Sequence, residues 1–153
     1  MEDAHHVSRK SKDRSTKVGC VIVNDRHTDL VRGWNGFPRG INDNIEARHE
    51  RPQKYLWTEH AERNAIYNAA AEGISIKSCT LYSTLFPCCD CARAIIQSGI
   101  KRVCTYEPET ATAKQQATFS MNDAHAMLLE AGVLVTFMPR EIPVPEPEQL
   151  SLI

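Results

Sequence analysis

The chain has 153 residues, 42% of them hydrophobic and 24% charged, with a formal net charge of −1. That length accommodates one compact domain with a sizeable core and makes a second domain unexpected. No run of about 18 apolar residues is present to span a bilayer, Met1 to His6 lacks the order of a secretory signal, and a charge so near zero argues against a general nucleic-acid binder.

The expected address is therefore the cytoplasm. All six cysteines are expected to be reduced, because Cys88, Cys89 and Cys91 are crowded together in the way that serves metal binding or catalysis rather than disulfides. Arg9, Lys10, Lys12, Arg14 and Lys17 make the first segment basic; it reads as a short helix leading to a loop with a solvated charged face, phosphate binding being the alternative. Residues 18–23 form a β-branched apolar run, Asn24-Asp25 supplies a turn, and a second apolar stretch runs through Leu30 and Val31 to Trp34, so a hairpin opens the sheet. Residues 35–53 are rich in Gly, Pro, Asn and charge and too long for a simple turn, which makes them a candidate substrate lid.

From Thr58 the period changes to helical, with Ala61, Ala65, Ile66, Ala69 and Ala70 on one face and Gly73 as the stop. Residues 80–84 read as a third strand. Pro87 is placed to open the next helix, whose buried stripe is Ala92, Ile95 and Ile96 and whose end is Gly99. A fourth strand follows over 102–106, a helix over 121–131, and a fifth strand over 133–137. Strand and helix alternating after an opening hairpin predict an α/β fold, a three-layer α-β-α arrangement around a central mixed five-stranded sheet. The domain is expected over residues 1–138, with a Pro/Glu-rich tail over 139–153.

The residues with chemistry cluster at two predicted helix starts. Cys88 and Cys91 are three positions apart, so both side chains lie on one face of a first helical turn. His60 sits near the start of another helix. If the two starts face each other, one imidazole and two thiolates form a three-ligand Zn²⁺ set with a fourth tetrahedral position left for water, the arrangement of catalytic rather than structural zinc. The helix dipole favours thiolates at that position. Glu62, two residues beyond His60, is turned away from the ligand direction and suits an acid/base beside the water. A structural zinc would need a fourth ligand from Cys89, His125 or His49, none at a regular spacing, and a redox Cys-x-x-Cys would not explain His60 and Glu62.

His60-Ala61-Glu62 followed by Pro87-Cys88-Cys89-Asp90-Cys91 resembles the His-x-Glu…Pro-Cys-x-x-Cys signature of the zinc nucleobase deaminases. Residues 17–23, 34–40, 60–66 and 84–88 narrow the resemblance to the deoxycytidylate branch of the cytidine deaminase superfamily. The resemblance implies hydrolysis of a cytosine nucleotide, dCMP to dUMP, with water attacking C4 and Glu62 moving the protons. It further implies that the Ala61 backbone N–H holds the ring O2, that a carbonyl of Ser83 or Thr84 holds the amino group, and that Asn35 binds the sugar. Arg39, Lys17 and Lys114 are the candidate phosphate ligands.

Two stretches depart from the branch, Trp57-Thr58-Glu59 and residues 107–120, so a free base, a nucleoside or a modified base remains an alternative substrate. A zinc-stabilised binding module without catalysis is a further alternative, which the presence of Glu62 argues against. The resemblance also implies a homo-oligomer, hexamer or dimer, with regulation by dCTP and dTTP in some relatives. The end of the chain, Gln149-Leu150-Ser151-Leu152-Ile153, resembles the short peptide that docks on bacterial sliding clamps; a frayed terminus or a strap on a neighbouring subunit is the alternative.

Overall fold

In the computed structural model, residues 1–108, Ala113 and residues 120–139 are described. Lys114 and the candidate clamp peptide at 149–153 lie outside the described residues. Helix α1 spans Glu2–Ser8, strands β1 and β2 span Gly19–Val23 and Asp29–Trp34, and the long loop that follows holds a single 3₁₀ turn at Glu46–Arg48 and a one-turn helix α2 at Lys54–Trp57. Next come α3 (Ala61–Glu72), β3 (Thr80–Ser83), α4 (Cys89–Gln97), β4 (Arg102–Thr105), α5 (Met121–Glu130) and β5 (Leu134–Phe137).

The strands form one mixed sheet in the order β2-β1-β3-β4-β5. β1 is antiparallel to both β2 and β3, whereas β3, β4 and β5 are parallel, so α4 and α5 are the crossovers that parallel pairing demands. Register aligns Val31, Ile22, Leu81, Val103 and Val135 in one row across the sheet. That row joins Ala65, Ala69, Ile95 and Leu128 of α3, α4 and α5 in the main core. On the opposite face Val21 and Val23 pack with Ala4 and Val7 of α1. Three layers result, with one short helix on the thin side; β1 is buried along its whole length because both its faces are covered.

Where the structure differs from the sequence reading, local packing is the reason. The opening helix lies before most of the basic residues, with Ala4 and Val7 as its buried residues packed on Val21 and Val23, while Lys10 to Lys17 run through a loop. Pro87 does not open α4: Cys88 is the N-cap, with extended φ −77° and ψ 173°, and Cys89 is the first helical residue. Gly73 ends α3 with φ +66°, the left-handed turn that glycine accepts without strain. Gly33 of β2 is required for another reason. A Cβ there would lie 2.3 Å from the Ala61 carbonyl oxygen and 2.5 Å from the Ala65 nitrogen, so α3 rests directly on the strand backbone.

Candidate active site

Two helix starts meet at the carboxyl end of β3. His60 is the N-cap of α3, Cys88 the N-cap of α4, and Cys91 follows within the first turn of α4. The loop after Ser83 carries the chain from β3 into α4, while the long segment after β2 leads into His60 and α3. His60 Nδ1 lies 3.4 Å from Cys88 Sγ and 3.5 Å from Cys91 Sγ, and the three ligand atoms all fall within 4.8 Å of one another. Tetrahedral zinc with bonds of about 2.0 Å to nitrogen and 2.3 Å to sulfur puts those atoms about 3.6 Å apart. The donor set therefore fits zinc both in chemistry and in spacing, and the facing helix starts expected from the sequence are present.

Glu62, in the first turn of α3, is 4% exposed. Its Oε1 accepts a hydrogen bond from Ser83 Oγ at 2.8 Å, while Oε2 lies 3.4 Å from Cys91 Sγ. One carboxylate oxygen is thus pinned to β3 and the other faces the ligand set. Burial raises the Glu62 pKa, against the lowering effects of the nearby His60 charge and the Ser83 hydroxyl. Cys88 is held well below the ordinary thiol range, chiefly by a hydrogen bond from the Cys91 thiol, with His60 adding to it against the cost of burial. A thiolate paired with an imidazole is the form that binds metal.

The site opens into a cavity of about 390 Å³ whose wall includes His60, Ala61, Glu62, Phe86 and Cys88. Ala61, the first residue of α3, lines it, and its backbone N–H has no acceptor within the helix. Asn35 also lines it, yet its side chain is engaged by backbone: Oδ1 accepts from Val18 N–H at 2.8 Å and Nδ2 donates to the Thr16 carbonyl at 2.9 Å. Ser83 reaches the site through Glu62, and Thr84 Oγ1 accepts from Gly19 N–H, tying β3 to β1. Arg39 is outside the cavity wall and donates to Asn68 at 2.6 Å; Lys17 is exposed and is likewise absent from the wall.

The cations that do line the cavity are Arg51 and Lys54, from the loop before α2 and from α2 itself. Lys54 Nζ bonds Asp13 Oδ1 at 3.0 Å and Ser15 Oγ at 2.6 Å, and all three residues belong to the wall. Nothing periodic marks these residues, since Asp13 and Lys54 are 41 positions apart and sit in loop and single-turn structure. Of the three residues that looked foreign before His60, only Thr58 enters the cavity wall. Trp57 takes the Arg48 guanidinium over its ring at 3.9 Å, and Glu59 pairs with Arg63.

Comparison with known proteins agrees with this geometry. The sequence model of the cytidine and deoxycytidylate deaminase zinc-binding region matches residues 1–107. The chain is 39% identical over 141 residues to a protein of Aliivibrio fischeri described as an uncharacterized deaminase in the luxG 3′ region, covering 91% of this chain and 90% of that one. It is 41% identical over 101 residues to the deoxycytidylate deaminase of Mus musculus, covering 63% of this chain and 56% of that protein. The chain spans about half the length of several of the curated relatives it matches. Among solved structures, the dCMP deaminase of cyanophage S-TIM5 in complex with dCMP and dUMP superposes with a TM-score of 0.72 at 29% identity, covering 90% of this chain and 92% of that one.

Proposed function

The chain belongs to the cytidine and deoxycytidylate deaminase family, and from that premise we propose that it is a zinc-dependent hydrolytic deaminase that converts dCMP to dUMP with release of ammonia. The observation that carries the reading is the buried carboxylate of Glu62 set beside a His60, Cys88 and Cys91 ligand set at the base of one cavity. When bound, zinc supplies a Lewis acid that brings the ionisation of water near neutral pH. Glu62 takes one proton of the water on Oε2 and passes it to N3 of the cytosine ring as the water's oxygen bonds to C4; it then moves the remaining hydroxyl proton to the amino group, which leaves as ammonia when the C4–N bond breaks. Ser83 keeps Oε1 fixed through these transfers.

The rest of the wall positions the ring and its substituent. Phe86 is 3% exposed and braced edge-on by His125, an apolar wall suited to the face of a base. Ala61 N–H at the start of α3 is a donor for the ring's O2. The substrate's phosphate is assigned to the cationic side of the cavity, at Arg51 and Lys54, in place of Arg39 and Lys17. Residues 1–138 form the deaminase domain in this reading. Self-assembly is supported by Leu134 and Phe137 on the edge strand β5 and Leu129 of α5, apolar side chains left exposed in one chain. Six free cysteines accord with a reducing cytoplasm, and no described helix is long and apolar enough to cross a membrane.

The deciding experiment is ammonia release from dCMP, deoxycytidine, cytosine, guanine and AMP by the zinc-loaded protein, with Glu62→Ala as the blank. Turnover of dCMP alone is the expected result. Turnover of deoxycytidine or a free base but not dCMP would overturn the nucleotide assignment, and no turnover of any of them would overturn the enzyme.

A further inference from the structure

Beside the ligand set lies a group of charges that the proposed reaction does not use. Arg63, in the first turn of α3, places Nε 2.6 Å and Nη2 2.5 Å from Glu59 Oε1, and its Nη1 reaches Asp90 Oδ2 at 3.5 Å. The same Glu59 oxygen accepts the backbone N–H of His60 at 2.9 Å. Glu59 is itself anchored, because its backbone exchanges two hydrogen bonds with Gly36, at 3.0 and 2.8 Å. Asp90 sits between Cys89 and Cys91 in the first turn of α4 and is also paired with Arg93. One guanidinium therefore spans from the residue before the histidine ligand to the residue before the second cysteine ligand.

Burial sets this bridge apart from surface pairing. An exposed ion pair would contribute little. Here the Arg63 and Glu59 side chains are only 22% and 20% exposed, and two of the guanidinium nitrogens converge on one carboxylate oxygen.

We infer that Arg63, held by Glu59 and Asp90, is a positioning residue for the metal centre: it ties the two ligand-bearing helix starts together. The inference rests on the zinc reading above. The span keeps His60 and Cys91 at bonding separation before metal arrives.

The test is zinc affinity by competition with a chromophoric chelator, read beside the melting temperature in excess chelator, for the wild type, Arg63→Ala, Arg63→Lys and Glu59→Gln. Arg63→Ala is expected to weaken zinc binding by about 10- to 100-fold while the chelated protein melts close to the wild type. Arg63→Lys, which keeps the charge and loses the fork, recovers part of that loss, and Glu59→Gln weakens binding to a smaller degree. Equal affinity in Arg63→Ala and wild type overturns the inference, as does a loss that Lys fails to rescue and that the melting temperature matches. If Arg63→Ala does not fold, the near-isosteric Glu59→Gln decides, and unchanged affinity there overturns the inference. A wild type that binds no zinc, or binds it without regard to Cys88→Ser, refutes the zinc reading itself and is told apart from the other outcomes on that ground.

Discussion

Replacing Asp13 by Asn should remove a defined, pH-dependent part of the stability. The Asp13 side chain is 7% exposed and receives Lys54 Nζ at 2.8 Å, Thr16 N–H at 3.0 Å, and the N–H and hydroxyl of Ser15 at 2.8 and 2.9 Å. Burial alone would raise its pKa, but Lys54 and then the Thr16 and Ser15 donors outweigh it and bring the pKa from 3.8 to about 2. A carboxyl whose pKa is lower folded than unfolded stabilises the protein above the unfolded value and loses that contribution as pH falls through the folded value. The shift of nearly two units corresponds to about 2 kcal/mol, fully present above pH ~5 and mostly lost by pH ~2. Urea unfolding of wild type and Asp13→Asn at pH 5, 4, 3 and 2, both in chelator so that metal loss does not enter, measures it. The stability gap between the two proteins should narrow by about 2 kcal/mol over that range, since every other titrating group is common to both. A gap that is the same at pH 5 and pH 2 would refute the assignment of Asp13 as an ionised, Lys54-paired carboxylate.

Three further outcomes follow from the site. Glu62→Gln keeps the size of the side chain and the Ser83 contact but cannot carry a proton, so ammonia release should fall by about 10²- to 10⁴-fold while zinc content, read by metal analysis, stays at the wild-type level. Ser83→Ala leaves the buried Glu62 Oε1 without its donor and should cost about 1–3 kcal/mol in denaturant unfolding. Gly33→Ala drives a Cβ into the Ala61 carbonyl and should destabilise by about 2 kcal/mol or more while also lowering zinc occupancy, because α3 must move and His60 moves with it; a normal zinc content would show that α3 relaxes without disturbing the ligands.

The fold was largely legible in the chain because its elements advertise themselves locally. The β-branched run at β1, the alanine stripe of α3 with Gly73 after it, and the apolar stripe of α4 each carry their own period and punctuation. The metal set was legible for a related reason: His60 and the Cys88/Cys91 pair stand at helix starts, where a short spacing fixes a shared direction. The substrate side was not. Asp13, Ser15, Arg51 and Lys54 come from loop and single-turn structure, and only tertiary packing brings a residue at 13 beside one at 54. Arg39 and Lys17 looked equally suitable as cations, and no local signal says that one donates to Asn68 and the other faces solvent. The role of Glu59 was hidden similarly, since its partner Arg63 also reaches Asp90 on a different helix.

Gly33 couples the backbone of β2 to the backbone of α3 with no side chain between them. The ligand His60 is thereby mounted on a helix seated directly on the sheet, and much of the remaining cavity wall is drawn from the long segment between β2 and α3 and from the loop before β1. The two parts answer to different constraints. Substitutions in the wall can accumulate without disturbing the registration of His60, Glu62, Cys88 and Cys91, so a lineage built on this plan can exchange one substrate for another while its chemistry stays unchanged.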